Sequence, residues 1–124
     1  MFIKQPFDEF LGLVYERTSP TQVVVRLPLK ALHFNSLGVV HGGIVSTLAD
    51  VAMSNLIEPD DHGVQSAVTM DLHMSFLNGA VGKTLVAEAN IVKKGARVMY
   101  ADCLIYNEER DRVAKASGTF FIKQ

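Results

Sequence analysis

One carboxylate stands inside the most apolar stretch of the chain. Asp50 lies between Ala49 and Val51, in a run that also holds Ile44, Val45, Leu48, Ala52, Met53, Leu56 and Ile57. Aspartate has poor helix propensity, and burying its charge is costly unless it has a partner or a task. A carboxylate held there can take a proton from water or attack a carbonyl carbon. Eight residues before it, Gly42 closes the segment Asn35-Ser-Leu-Gly38-Val-Val-His41-Gly42 and is followed by Gly43. Paired glycines where a helix begins let a ligand approach backbone N–H groups that have no intrahelical partner, and the helix dipole favours negative charge at that end. These are the parts of a hydrolytic site: an activator of water, and a donor for the oxyanion that forms when a carbonyl is attacked. Thr47 and Ser54, three before and four after Asp50, extend a polar stripe along the same face and offer the carboxylate hydroxyl partners within its own helix.

The spacing constrains how such a site is assembled. Eight residues of helix separate Gly42 from Asp50 by about 12 Å at 1.5 Å per residue. A general base must come within hydrogen-bond reach of its water, and an oxyanion donor within about 3 Å of the oxygen it stabilises. The two groups therefore cannot serve one carbonyl from one helix. If both act in one reaction, Gly42 of one copy faces Asp50 of another, as two antiparallel helices related by a two-fold axis allow.

The elements that hold these residues are legible as patterns. The apolar run predicts a buried helix over residues 43–57, starting behind the Gly-Gly pair and stopped by Pro59. Over residues 66–76 the period becomes two. Val68, Met70, Leu72, Met74 and Phe76 alternate with Thr69, Asp71, His73 and Ser75, predicting a long strand with its even positions on a core. Three more β runs, 84–93, 97–106 and 112–123, are separated by gaps short enough for hairpins, which favours antiparallel pairing. Ahead of the helix, β-rich runs at 11–18 and 21–27 break at Ser19-Pro20 and stop at Pro28, with a loop to about Val40. The fold class is α+β: a curved antiparallel sheet wrapped over one long central helix. A helix this apolar needs cover on most sides, so a second copy is expected to complete its enclosure.

Composition narrows the function. The 124 residues read as a single domain without linker, repeat or low-complexity tract, and a hydrophobic content of 48% suffices for a core. Twelve basic against thirteen acidic residues leave a net charge of −1, which lacks the electrostatic footprint of a nucleic-acid binder. The chain has no long apolar window to span a membrane, no secretory leader pattern, and one cysteine, Cys103, read as a small core residue. A cytoplasmic, reducing location is the expectation. His33, His41, His62 and His73 lack metal-ligand spacing, so no metal is expected. Glu58, Asp60 and Asp61 read as an exposed loop, and Met53, Met70, Met74 and Met99 as core. There is no G-x-S-x-G elbow, which argues against a serine hydrolase.

The pattern N-x-x-G-x-x-H-G-G at residues 35–43, followed by S-x-x-x-D at 46–50, resembles the signature of hot-dog-fold acyl-CoA thioesterases, especially the phenylacetate-degradation group. The similarity extends over nearly the whole chain. It implies a homodimer, or a homotetramer of two dimers, that hydrolyses acyl-CoA at the subunit interface. Asp50 falls at the catalytic carboxylate, Gly42 at the carbonyl-polarising amide, and Asn35 at a residue that orients water or substrate. Thr69 and Ser54 match hydroxyls found in different members. His41 and Gly43 stand at the helix start, where they position the loop or touch substrate. Many relatives carry Arg-Pro after the aromatic end of the long strand, where this chain has Asn78-Gly79, so Lys93, Lys94 and Arg97 become the candidates for coenzyme A phosphates. No cofactor is implied beyond the coenzyme A of the substrate. Two alternatives carry the same fold: a hydratase acting on enoyl or hydroxyacyl thioesters, and a non-catalytic acyl-CoA-binding dimer.

Overall fold

Local sequence signals place each element in the structure, a computed structural model that describes residue 2 and residues 5–123. A short helix, α1 (Pro6–Leu11), leads into strands β1 (Val14–Ser19) and β2 (Gln22–Pro28). A 3-10 turn at Ala31–His33 precedes the long helix α2 (Gly42–Ser54). Strands β3 (Ala67–Phe76), β4 (Thr84–Lys94), β5 (Val98–Asn107) and β6 (Arg112–Ile122) follow. They form one antiparallel six-stranded sheet in the order β1-β2-β4-β5-β6-β3. Helix α2 lies across one face of this sheet and packs against five of its strands. The expected α+β architecture is the one observed.

The core is the layer between α2 and the sheet. Val45, Leu48, Ala49, Ala52 and Met53 of the helix are at most 1% exposed, against Leu27, Leu85, Met99, Ile105 and Phe120 of the strands at 0%. Burying each large side chain of this kind contributes roughly 1.5–3 kcal/mol. The opposite face of α2 is only partly covered. Ile44, Ser46, Thr47, Asp50 and Val51 are half-buried, and Gly42 and Gly43 are exposed.

Four expectations are corrected. The β run expected from residue 11 begins instead as α1, with Pro6 at its first position and Gly12 closing it in the left-handed conformation (φ 89°). Helix α2 ends at Ser54 rather than residue 57. Asn55 turns its side chain back onto the Val51 carbonyl, while Arg17 of β1 takes the Asn55 carbonyl at 2.7 Å and pairs with Glu58. Leu56 and Ile57 remain buried beyond the helix, so the apolar run outlasts the helical hydrogen bonds. In β3 the alternation breaks, because Thr69 pairs with Phe120 and Asp71 with Thr119, leaving Met70 as an extra, bulged residue. Before the bulge Ala67 is buried and Thr69, though exposed, is on the helix side of the sheet; after it Leu72 and Met74 pack against the core. Val68 is therefore 49% exposed and the bulged Met70, expected in the core, is 59% exposed.

Candidate active site

Helix α2 begins without a side-chain cap. His41 occupies the N-cap position with non-helical backbone (φ −53°, ψ 132°), its imidazole caps nothing, and no acidic residue lies in the first turn. The amides of Ile44 and Val45 both donate to the His41 carbonyl, whereas those of Gly42 and Gly43 find no backbone partner among the described residues. Two N–H groups at the positive end of a thirteen-residue helix are thus left for an anion or a polarised carbonyl. His41 itself is exposed.

The loop before the helix is folded by Asn35. Its side-chain oxygen accepts from the amides of Leu37 at 2.9 Å and Val39 at 3.3 Å, and its own amide donates to the Val39 carbonyl. Gly38 closes this turn at φ 80°, a conformation that favours glycine. The Asn35 Nδ2 group makes no hydrogen bond among the described residues. Asn35 and Gly42 line one cleft of about 390 Å³, with Phe76 from the end of β3 as its apolar wall. A Cβ placed on Gly42 would lie 3.6 Å from the Phe76 ring, at ordinary contact distance.

A buried imidazole fixes this corner. His33 is 0% exposed; its Nδ1 accepts the Lys30 amide at 2.9 Å, so Nε2 is the nitrogen that donates to the Leu11 carbonyl at 3.1 Å. The His33 carbonyl in turn accepts the His41 amide at 3.0 Å. One residue therefore ties the end of α1 to the start of α2.

Asp50 lies in a second cleft of about 290 Å³, lined also by Thr47, Ser54 and Thr69. The polar stripe along α2 is present, yet neither helix hydroxyl bonds the carboxylate. Thr47 donates to the Gly43 carbonyl at 2.8 Å, a common back-bond for a helical threonine. The hydroxyl that reaches Asp50 is Thr69 Oγ1, donating to Oδ1 at 2.7 Å. Thr69 can do so because the bulge leaves it on the helix side of the sheet. Ser54, 6% exposed, lines the same cleft without a side-chain hydrogen bond to Asp50.

The structure thus groups the predicted residues into two clefts that share no lining residue: Asn35 and Gly42 in one, Asp50, Ser54 and Thr69 in the other. Lys93, Lys94 and Arg97 are exposed around the β4–β5 hairpin and join neither; Lys94 lines a groove with Arg17, Leu56 and Ile57 beyond the end of α2. Several residues of the second cleft escaped sequence reasoning, among them Gln5, Phe7, Asp8 and Gln65. Asp8 of α1 is 6% exposed and accepts the Tyr15 hydroxyl at 2.7 Å. Burial, with the bond to Asp8 and its negative charge, holds the Tyr15 hydroxyl well above its ordinary range. Cys103 sits in the core, where burial and the nearby Asp102 and Glu88 charges push its thiol up and disfavour the thiolate. Among the described residues no His, Cys, Asp and Glu side chains gather as a metal site, and no helix is long and apolar enough to cross a membrane.

Comparison with known proteins converges on one family. Residues 37–114, which include Gly42, Asp50 and Thr69, match the family model of the thioesterase superfamily. The chain is 34% identical to the PA0474 protein of Pseudomonas aeruginosa, over 98% of its own length and 92% of that protein's. It is 26% identical to acyl-coenzyme A thioesterase 13 of Mus musculus, covering 87% of this chain and 78% of that one. The fold superposes on the BH2602 protein of Bacillus halodurans, whose crystal structure holds CoA, with a TM-score of 0.86 and 31% identity over 98% of this chain and 80% of the other. A curved sheet around a central helix, with an uncapped glycine start and a carboxylate midway along, is here the hot-dog fold: the chain belongs to the thioesterase superfamily and is a thioester hydrolase.

Proposed function

We propose that the chain hydrolyses acyl-CoA thioesters at sites built between two copies, each site taking Asp50 from one and the Gly42 amide from the other. The observation that carries this reading is the separation of the two groups: they lie eight residues apart on one helix and in different clefts. The free edge of β3 supports the assembly. Beyond β6 it has no sheet neighbour among the described residues, and Val68, Met70, Phe76 and Leu77 along or just past it are 49–59% exposed. A long edge strand with apolar side chains is a ready template for another strand. Antiparallel pairing of two β3 edges sets two α2 helices side by side in opposite directions, which brings the first turn of one towards the middle of the other.

In this site Thr69 holds one carboxylate oxygen of Asp50, leaving Oδ2 to take a proton from water. The water oxygen attacks the thioester carbonyl, and the resulting oxyanion is stabilised by the Gly42 N–H, with Gly43 beside it. Collapse breaks the carbon–sulfur bond. The thiolate leaves and is protonated, so one water is consumed and a carboxylic acid and free coenzyme A are produced. A thioester has a good leaving group, so these two groups suffice without a serine nucleophile. In this reading Asn35 Nδ2 orients the carbonyl or the water, Ser54 lies one turn beyond the carboxylate, and His41 flanks the oxyanion site. Lys93, Lys94 and Arg97 supply positive charge for the coenzyme A phosphates. The CoA bound by BH2602 and the name of the mouse relative support this substrate class.

Thiol release from a panel of acyl-CoA esters tests the proposal, with the molar mass of the assembly measured by light scattering. Turnover by a dimer or a larger even assembly, lost in Asp50→Asn with that assembly intact, is the expected result. Loss of enoyl absorbance without thiol release would instead identify a hydratase. Tight binding with neither signal would identify a binding protein.

A further inference from the structure

Among the described residues a single buried side-chain nitrogen completes no hydrogen bond, the Nε of Arg17. Its guanidinium is fixed from two sides. Nη2 donates to the Asn55 carbonyl at 2.7 Å, and Cζ lies 5.5 Å from the centre of the Phe2 ring. Glu58 Oε1 comes within 2.9 Å of Nε but off the N–H direction, so the two charges pair without an aligned hydrogen bond, and the Glu58 side chain is 53% exposed. A half-exposed, misaligned pair contributes little, whereas a carboxylate in line with a guanidinium N–H makes one of the stronger hydrogen bonds in proteins. Arg17 faces a groove of about 490 Å³ beyond the end of α2, a volume within the range of small-molecule pockets. Pro20, Leu56, Ile57 and Ile91 give the groove apolar walls, and Lys94 adds a second positive charge. It shares no lining residue with the cleft of Gly42 or with that of Asp50.

We propose that this groove is a second ligand site, which takes an organic acid with an apolar tail, of the class of a medium-chain alkanoate. The carboxylate accepts the Arg17 Nε–H in line and displaces Glu58 towards solvent, while the tail lies along Leu56, Ile57 and Ile91. Two observations favour this occupant. The guanidinium is already held by Asn55 and Phe2, so little side-chain freedom is lost when the acid arrives. Glu58 is also the only carboxylate lining the groove, and once it has swung out Arg17 and Lys94 face the ligand with no opposing charge. An alcohol of the same length would fill the apolar walls but leave Arg17 unanswered. That such an acid has the chemical class of the enzyme's own product rests on the reading just given; the site itself does not.

Calorimetric titration of the full chain with decanoate tests the site, in the presence of S-decyl-coenzyme A, a thioether that cannot be hydrolysed and that fills the catalytic clefts. One decanoate per chain is the expected result, with decanol bound about tenfold more weakly or worse. Arg17→Gln should weaken decanoate by about tenfold or more, and Glu58→Gln, which removes the competing charge, should tighten it by about two- to fivefold. Thr21 stands on the exposed β1–β2 turn at the mouth of the groove, so Thr21→Glu adds a repelling charge without touching the core and should weaken decanoate several-fold. No uptake of decanoate, uptake that vanishes when the thioether is added, or equal affinity for decanol overturns the proposal. So does an affinity unchanged in Arg17→Gln or, should that variant fail to fold by circular dichroism, unchanged in Thr21→Glu. Thiol release from acyl-CoA esters is scored separately: its absence would sink the acyl-CoA reading, while the decanoate titrations would still decide the groove.

Discussion

The first turn and the middle of α2 contribute to chemistry in opposite ways. At its start the helix offers only backbone: Gly42 and Gly43 carry no side chains, the cap is missing, and what is presented is a pair of unpartnered amides at the positive end of the dipole. Seven to eight residues on it offers a side chain, Asp50, held by a hydroxyl from a different element. The first arrangement depends on what the sequence leaves out, the second on what β3 brings in. In the proposed mechanism neither completes a site alone, and the difference teaches that one helix can offer both backbone donors and a carboxylate at points too far apart for one carbonyl.

The largest effects break the comparison outright. Asp50→Asn removes the base while keeping its shape, and thiol release should fall by about 10³-fold with unchanged far-UV circular dichroism. Gly42→Pro makes the matching cut at the other end. Gly42 is the first helical residue, where proline is well tolerated, and the His41 ψ of 132° lies in the range favoured before proline. The fold should persist while loss of the amide donor lowers kcat by about 10²- to 10³-fold. Dimers purified with one copy of each variant then decide whether the halves are shared. With sharing, one of the two sites is intact and about half the wild-type rate returns; with each site inside one chain, the mixture stays inactive.

Smaller changes sharpen the contrast. Thr69→Val should lower kcat by about tenfold with little change in KM, the magnitude expected for a hydrogen bond to a charged group. A cut of about a thousandfold or more would show the hydroxyl acting on substrate directly. Least of all, Gly43→Ala should raise the thermal midpoint slightly, since its Cβ meets open space within the protomer and alanine gains roughly 0.5–1 kcal/mol over glycine in a helix. If a second copy or a ligand approaches that amide closely, KM rises although stability does not fall.

Much of this was legible because helix and sheet announce themselves by period. The α2 run, the hairpin gaps after residue 84 and the separation of Gly42 from Asp50 needed only spacing arguments. Three features escaped for physical reasons. Apolar residues continue past the helix end, because Leu56 and Ile57 are buried in a turn held by Asn55 and Arg17, so hydrophobicity overran the hydrogen-bond boundary. The parity of β3 could not reveal an extra residue at Met70, and with it the hydroxyl that meets Asp50 was placed on the wrong face; the similarity to thioesterases, not the alternation, pointed to Thr69. Helix α1 leaves only a short signal, Pro6 at its head, Asp8 and Glu9 in its first turn and Gly12 at its tail, which the β-rich run that follows outweighs. Asp8 was missed with it.

The surplus residue in β3 also gives that strand two places to sit. Sliding residues 67–69 by one position would absorb Met70 into a regular ladder, pointing Val68 and Met70 at the helix and Thr69 outward, the arrangement greasy side chains would choose. The Thr69–Asp50 bond works against that slide. It is a peg as well as the brace of the proposed mechanism, and cutting it would loosen the choice of register on the sheet's open edge.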